Sequence, residues 1–466
     1  MKVLVAVLGN YRQYDPVNYE LDGEVIECVK SSAEAVKRVK KPDRTFVFLP
    51  STLYHDIVGE PGEGKYSVLA EAMLDAVRSD SSFPDPMKQE NMYVVPNTGR
   101  FRGGSKAPGV YEYRERGGNI SFLQNYTFLK LYEALKDVRK DLEVYVDMTH
   151  GVNYTSFLVS DAVRALVQAL MVSANSPLDL NKGVRATVTF YNSDVYIRGT
   201  VDYAKCKQGS QAAQGDTAPP PLKVNPVLVE TVDSRTAFTA LLDQVLSTNK
   251  EELRALFGTD TSKVVKLVRA ARSGLFLAVS TCKDFLESTL RNVEERLRGL
   301  ENCGVKVEKG EITNVTYDCS VPRSTYRVFA ALWAVYSAIN GGEMEGVERG
   351  WLLDRVNKYA DAVTKAIVES ELEPLDPDNL MSNSRIKKGE WYDVSAAKEK
   401  SQAQSVPRCV SLKSVGKVDQ KDQRNFAAHG GLLKGLACFR LHGKKVYLKY
   451  SIEGTNACDE ILKYIV

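Results

Sequence analysis

Residues 1–205 alternate short apolar runs with amphipathic stretches, and no other feature limits the fold as much. Runs at 3–8, 45–49, 92–95, 142–147, 185–191 and 195–198 have the length and the Val/Leu content of strands. Helical patterns lie between them at 24–40, 66–79, 121–138 and 154–174. Strands that are apolar throughout are buried on both faces, and helices between parallel strands supply the cover. An α/β, Rossmann-like domain is expected over 1–205. "NSD" at 192–194 is expected to turn the last two strands into an antiparallel hairpin at the sheet edge.

The stretch "CKQGSQAAQGDTAPPPLKVNP" (206–226) reads as a linker because of its Gly, Ser, Gln and Pro content. Beyond it the pattern turns helical, with candidates at 227–248, 250–257, 261–299, 323–340, 348–370, 392–402 and 418–435. A hairpin is expected at 305–317 and a strand at 444–451. Residues 227–275 are expected to be helical, and 276–466 to form a mainly α-helical second domain.

At 466 residues, two cores are the natural expectation. The longest apolar runs look short of a membrane span. The opening "MKVLVAVLGN" stops at Asn10 and reads as a buried strand, not a leader. A cytoplasmic protein without a membrane segment is expected. A net charge of +3 argues against a dedicated duplex binder. The eight cysteines contain no CxxC, so neither a zinc ribbon nor a disulfide framework is expected. With only four histidines, no metal site is expected.

In a parallel sheet the ligand lies outside the carboxyl ends of the strands. Those ends read Gly9-Asn10, "PSTLYHD" (50–56), "PNTGRFRGG" (96–104) and "DMTHGVNYTS" (147–156). Small polar residues and glycines let backbone N–H groups approach a ligand, and a helix N-terminus following the last loop suits phosphate. Turn formation and helix capping account for part of "DMTHGVN", but five small or polar residues exceed what capping needs. Asp147 has no nucleophile partner in sequence, so binding is the expected role of this loop. "GEPGEGKYS" (59–67) imitates a phosphate-binding loop, yet Tyr66 stands where a magnesium-binding hydroxyl belongs, and it is read as a flexible loop.

In "QKDQRNFAAHGGLLKG" (420–435), Arg424 and His429 are five residues apart, about 140° around an ideal helix. Spacing alone favours a solvated Arg and a His at a helix end stopped by Gly430 and Gly431. RNA, however, carries its own nucleophile in the 2′-hydroxyl. Its cleavage needs proton transfer, which suits His, and stabilisation of phosphorane charge, which suits Arg. One such His per chain makes a symmetric dimer attractive.

"LGN" after the first strand, "DMTHGVNYTS" after the fourth and "RNFAAH" (424–429), in that order, resemble the CRISPR-associated CARF–HEPN ribonucleases of type III systems. The resemblance covers essentially the whole chain. It implies a CARF sensor whose dimer binds a cyclic oligoadenylate, with cyclic tetra-adenylate expected, as allosteric activator. It also implies a HEPN nuclease that cuts single-stranded RNA without a metal or cofactor, leaving 2′,3′-cyclic phosphate and 5′-hydroxyl ends. By that resemblance Arg424 and His429 are catalytic with Asn425 supporting, and Gly9, Asn10, Ser51, Thr149, His150, Gly151 and Asn153 contact the activator. It also implies a small helix-turn-helix-like module between the domains, at 227–275. Two other readings stay open: a ring nuclease that degrades the cyclic oligoadenylate, and a ligand-controlled DNA-binding regulator using that module.

Overall fold

The computed structural model describes residues 1–116, 120–150, 153–175, 183–194, 221–340, 346–398, 406–452 and 456–466. The chain divides into two compact units. The first comprises 1–167, 184–232 and 295–326; the second comprises 168–183, 233–294 and 327–466.

The first unit is built on an eight-stranded sheet. Its order is Glu24–Val29, Val17–Leu21, Leu222–Val232, Ala186–Ser193, Leu142–His150, Lys2–Leu8, Arg44–Pro50, Asn91–Val95. The last five are parallel, with Lys2–Leu8 in the centre, where Val3 pairs with Arg44 on one side and Val144 on the other. Val3 to Leu8 are buried throughout, as the apolar run predicts. The chain leaves Lys2–Leu8 toward Arg44–Pro50 and returns on its other side as Leu142–His150. This reversal opens a crevice at the carboxyl ends of the two strands. Helices Ser32–Lys40, Tyr66–Ser79, Ser121–Leu135 and Asn153–Ala174 follow the expected pattern.

Several expectations are corrected. Residues 24–29 are a strand, not a helix start, because Asp22 and Gly23 (φ +54° and +80°) turn a hairpin between Val17–Leu21 and Glu24–Val29. The expected 195–198 strand lies outside the described residues. Ala186–Ser193 instead runs on through Asn192 and pairs antiparallel with Leu222–Val232. The chain is therefore still inside the first sheet beyond 226, where the second domain was expected to have begun. Residues 304–308 and 313–318 form the expected hairpin, but Thr313–Asp318 pairs with Val110–Glu115 in a five-stranded sheet of the first unit. Gly64–Lys65 forms a short strand in that sheet against Gly304–Glu308, so the Gly-rich stretch is not simply a loop.

The second unit is mainly helical. The 227–275 module resolves into the end of a strand and the helices Ser234–Leu246, Lys250–Phe257 and Thr261–Arg272. The expected helix at 392–402 is replaced by the strand Trp391–Asp393 and a 3-10 turn over Val394–Ala397. That strand joins Ala437–His442, Lys445–Tyr450 and Val347–Glu348 in a small antiparallel sheet.

The cysteines contradict the expectation of no disulfides. Cys282–Cys458, Cys303–Cys319 and Cys409–Cys438 are bonded, Cys28 is also disulfide-bonded, and no described cysteine is free. The partners are 176, 16 and 29 residues apart, and only the fold brings them together. The helix at 154–174 is long and apolar enough to cross a membrane by length and composition, contrary to the expectation of short runs. It is 78% buried within the fold, as a core helix is.

Candidate functional sites

The crevice of the first unit opens into a cavity of about 780 Å3. Gly9 sets its geometry. Its N–H donates to His150 O (2.7 Å) and to Tyr14 Oη (2.8 Å). A Cβ on Gly9 would stand 2.4 Å from His150 O, so only glycine allows this approach. Tyr14 Oη donates in turn to His150 O, and its ring lies 4.3 Å from the His150 ring.

His150 Nε2 accepts the Ser32 N–H (3.2 Å), so the imidazole is neutral there and carries its proton on Nδ1. Burial, opposed by the Asp147 carboxylate, holds its pKa below the ordinary value. Asp147 is fully buried and accepts from Ser32 Oγ, Thr149 N and Thr149 Oγ1. Burial pushes its carboxyl up, against the pull of the Ser32 and Thr149 donors. Thr149 Oγ1 also accepts Ser193 N–H. Through Thr149, Asp147 thus joins the end of its own strand to that of Ala186–Ser193, and through Ser32 to the start of the helix Ser32–Lys40.

Thr149 and His150, expected as ligand contacts, line the cavity. Gly9 and Asn10, expected as ligand contacts, are not among the residues that line it. Ser51 does not fit a contact role. It is fully buried, with its hydroxyl held between Tyr317 Oη (2.5 Å) and Asn97 N (3.0 Å). Gly151 lies outside the described residues, and Asn153 begins the helix Asn153–Ala174. The sequence reading missed Tyr14, Tyr19, Lys30, Arg164 and Phe157, which also line the cavity. Phe157 is 63% exposed, and that exposure is invisible in a helical pattern.

In the second unit, Arg424 and Asn425 stand exposed on the helix Gln420–Ala428. Asp419 caps it, accepting Asp422 N–H, while Asp422 accepts Asp419 N–H. Among the described residues, nothing holds the Arg424 guanidinium. Beneath them Phe426 is fully buried, stacked on Tyr464 at 5.0 Å.

His429 is the residue after the helix, and Gly430 and Gly431 follow at φ +56° and +83°. Gly431 N–H returns to Phe426 O and Gly430 N–H to Ala427 O, closing the helix end. Gly430 also lies against the helix Ala362–Leu372, where a Cβ would stand 2.5 Å from Val368 Cγ2. This close approach sets His429 beside Glu371, with Nδ1 to Oε1 at 2.9 Å. Glu371 also takes Lys398 Nζ at 2.6 Å. Burial raises the Glu371 carboxyl, but Lys398 and His429 outweigh it and hold the pKa below the ordinary glutamate value. The half-exposed imidazole is thus anchored through Nδ1, with Nε2 left for solvent or substrate. Glu371 and Lys398 were not legible in sequence, since nothing in their spacing points to residue 429.

Residues 3–194 match the family model "CRISPR system endoribonuclease Csx1, CARF domain", and residues 361–453 match "CRISPR system endoribonuclease Csx1, HEPN domain". The chain belongs to the CARF–HEPN family of CRISPR effectors. A protein of Methanocaldococcus jannaschii, named CRISPR system endoribonuclease Csx1, is 29% identical over 203 residues. That match covers 42% of this chain and 37% of the relative's length. The HEPN match contains Glu371, Lys398, Arg424 and His429, and the CARF match contains the cavity at the strand ends.

Proposed function

We propose that this CARF–HEPN protein is an endoribonuclease that cuts single-stranded RNA with Arg424 and His429 and is switched on by a cyclic oligoadenylate. The observation that carries the reading is His429 anchored by Glu371 at the end of the helix that presents the exposed Arg424 guanidinium. His429 takes the proton of the 2′-hydroxyl, or supplies one to the leaving 5′-oxygen, through Nε2. Arg424 meets the charge that develops on the phosphorane. The attacking group belongs to the RNA, so the products carry 2′,3′-cyclic phosphate and 5′-hydroxyl ends, and no metal enters these steps. One His per chain serves one proton transfer at a time, and a homodimer would bring a second.

In the first unit, the proposed activator site is the cavity bordered by Thr149 and His150. Tyr14 and exposed Phe157 offer surfaces for adenine, and Lys30, which donates to Ser82 O, and Arg164, paired with Glu230, border the cavity as the cations nearest a phosphate. Cyclic tetra-adenylate, with a near-fourfold repeat, suits a twofold dimer presenting this cavity twice. The protein is proposed to work inside the cell, where this ligand and its RNA occur.

His429→Ala, assayed on labelled single-stranded RNA in EDTA with a panel of ring sizes, is expected to lose about 100-fold or more in rate. It should bind the activator as the wild type does. Cleavage at the wild-type rate in this variant would overturn the assignment.

A further inference from the structure

The second unit holds a cavity of about 690 Å3 that the proposed chemistry does not use. Its floor is the four-stranded sheet. Trp391 pairs with Arg440, Arg440 with Tyr447, and Lys449 follows two residues on, so all four side chains share one face. The Arg440 guanidinium carbon lies 4.9 Å and Lys449 Nζ 4.5 Å from the Trp391 ring centroid. Gly346 makes room for the indole: a Cβ there would stand 3.1 Å from Trp391 Cη2.

The opposite wall carries Ser280, Lys283 and Asp284. Ser280 Oγ is buried without a hydrogen-bond partner among the described residues. Lys283 is the first residue of the 16-residue helix Lys283–Arg298, whose positive end opens here. Asp284 adds a carboxylate, and the described wall still has three cations against it. Tyr450 closes the cavity. Its hydroxyl lies 3.0 Å from where a Cβ on Gly431 would sit, and its ring is 6.1 Å from Phe426. The cavity therefore backs directly onto the helix end that carries His429.

A flat aromatic layer, three cations and an unsatisfied hydroxyl match one nucleotide of a single strand: a base to stack and a phosphodiester to pair. We propose that this cavity binds a nucleotide of the RNA substrate away from the cleaved bond, the base against Trp391 and Arg440 and the phosphate at Lys449 and Lys283. The proposal rests on the ribonuclease reading and adds a subsite that places the strand relative to His429.

Tryptophan fluorescence tests it. Trp333 and Trp351 are buried, so quenching by an added oligonucleotide reports Trp391. The probe is a 2′-O-methyl oligoribonucleotide, which lacks the attacking hydroxyl. Expected are salt-sensitive quenching, its loss in Trp391→Phe, and about ten-fold weaker binding in Lys449→Glu. With cleavable RNA, Lys449→Glu should raise KM about ten-fold and leave kcat near wild type. No quenching in the wild type, or unchanged binding and KM in Lys449→Glu, overturns the proposal even where cleavage is normal. Quenching without cleavage in wild-type protein would instead sink the ribonuclease reading and keep the cavity as a nucleotide site.

Discussion

Replacing Gly430 with Ala separates the two roles of this residue, helix stop and packing contact. A methyl group there meets a backbone conformation that L-residues avoid, at a cost of about 1 kcal/mol. It also meets Val368 Cγ2 at 2.5 Å, more than 1 Å inside ordinary contact, which forces the two helices apart and adds about 1–3 kcal/mol. Gly435 is the internal control. Its φ is +78°, and nothing lies within 4 Å of where its Cβ would stand, so Gly435→Ala carries only the conformational cost. Chemical denaturation of both variants should show Gly430→Ala less stable than Gly435→Ala by about 1–3 kcal/mol. The same displacement moves His429 from Glu371. RNA cleavage, measured well below the melting temperature, should therefore fall about ten-fold in Gly430→Ala and little in Gly435→Ala. Equal stability of the two variants, or full cleavage by Gly430→Ala, would refute the claim that close helix approach sets the site.

Two further outcomes are expected. Glu371→Gln should slow cleavage about ten-fold, since the amide no longer supports positive charge on His429; an unchanged rate would remove Glu371 from the mechanism. The Glu371 pKa is depressed in the fold, so the stability its partners add is present above the unfolded glutamate value, about 4.3, and lost as pH falls through the lower folded value. Because His429 is 46% exposed, the difference from Glu371→Gln should be about 0.5–1 kcal/mol near pH 7 and vanish in acid, as pH-dependent denaturation would register. The Cys282–Cys458 bond spans 176 residues and should contribute about 5 kcal/mol by chain entropy, so a Cys282→Ser/Cys458→Ser variant should melt well below the wild type. Identical melting curves would show that this bond adds nothing.

The parallel core is legible because its strands are apolar on both faces, and Val3 to Leu8 carries that pattern without interruption. Pairing across long separations is not. Leu222–Val232 is mostly exposed along its length, so no alternation marks it, and the prolines before it read as linker. Thr313–Asp318 is legible as a hairpin strand, but its other neighbour, Val110–Glu115, is about 200 residues away in sequence. Local pattern cannot choose such a partner. The Asp22-Gly23 hairpin is a different failure: that dipeptide is a strong turn signal, and helical periodicity over 24–40 competes with it.

The site shows the same division between local and distant information. Arg424 and His429 can be named from spacing and order because both sit on one short element. Gly430 and Gly431 read in sequence as a helix stop, and their contacts show that stop together with close packing of Gly430 on Val368. That packing is what brings His429 beside Glu371. A helix ended by a residue with a Cβ could still place His429 at its last turn, but not within 2.9 Å of a carboxylate on the neighbouring helix. Ser51 is the converse case. It stands at a strand's carboxyl end, where ligand contacts are expected, yet Tyr317, 266 residues later, reaches back to take its hydroxyl. A strand end is accessible only if no distant segment covers it. In this chain the segment that does so is the 295–326 stretch, which local pattern alone assigns to the other domain.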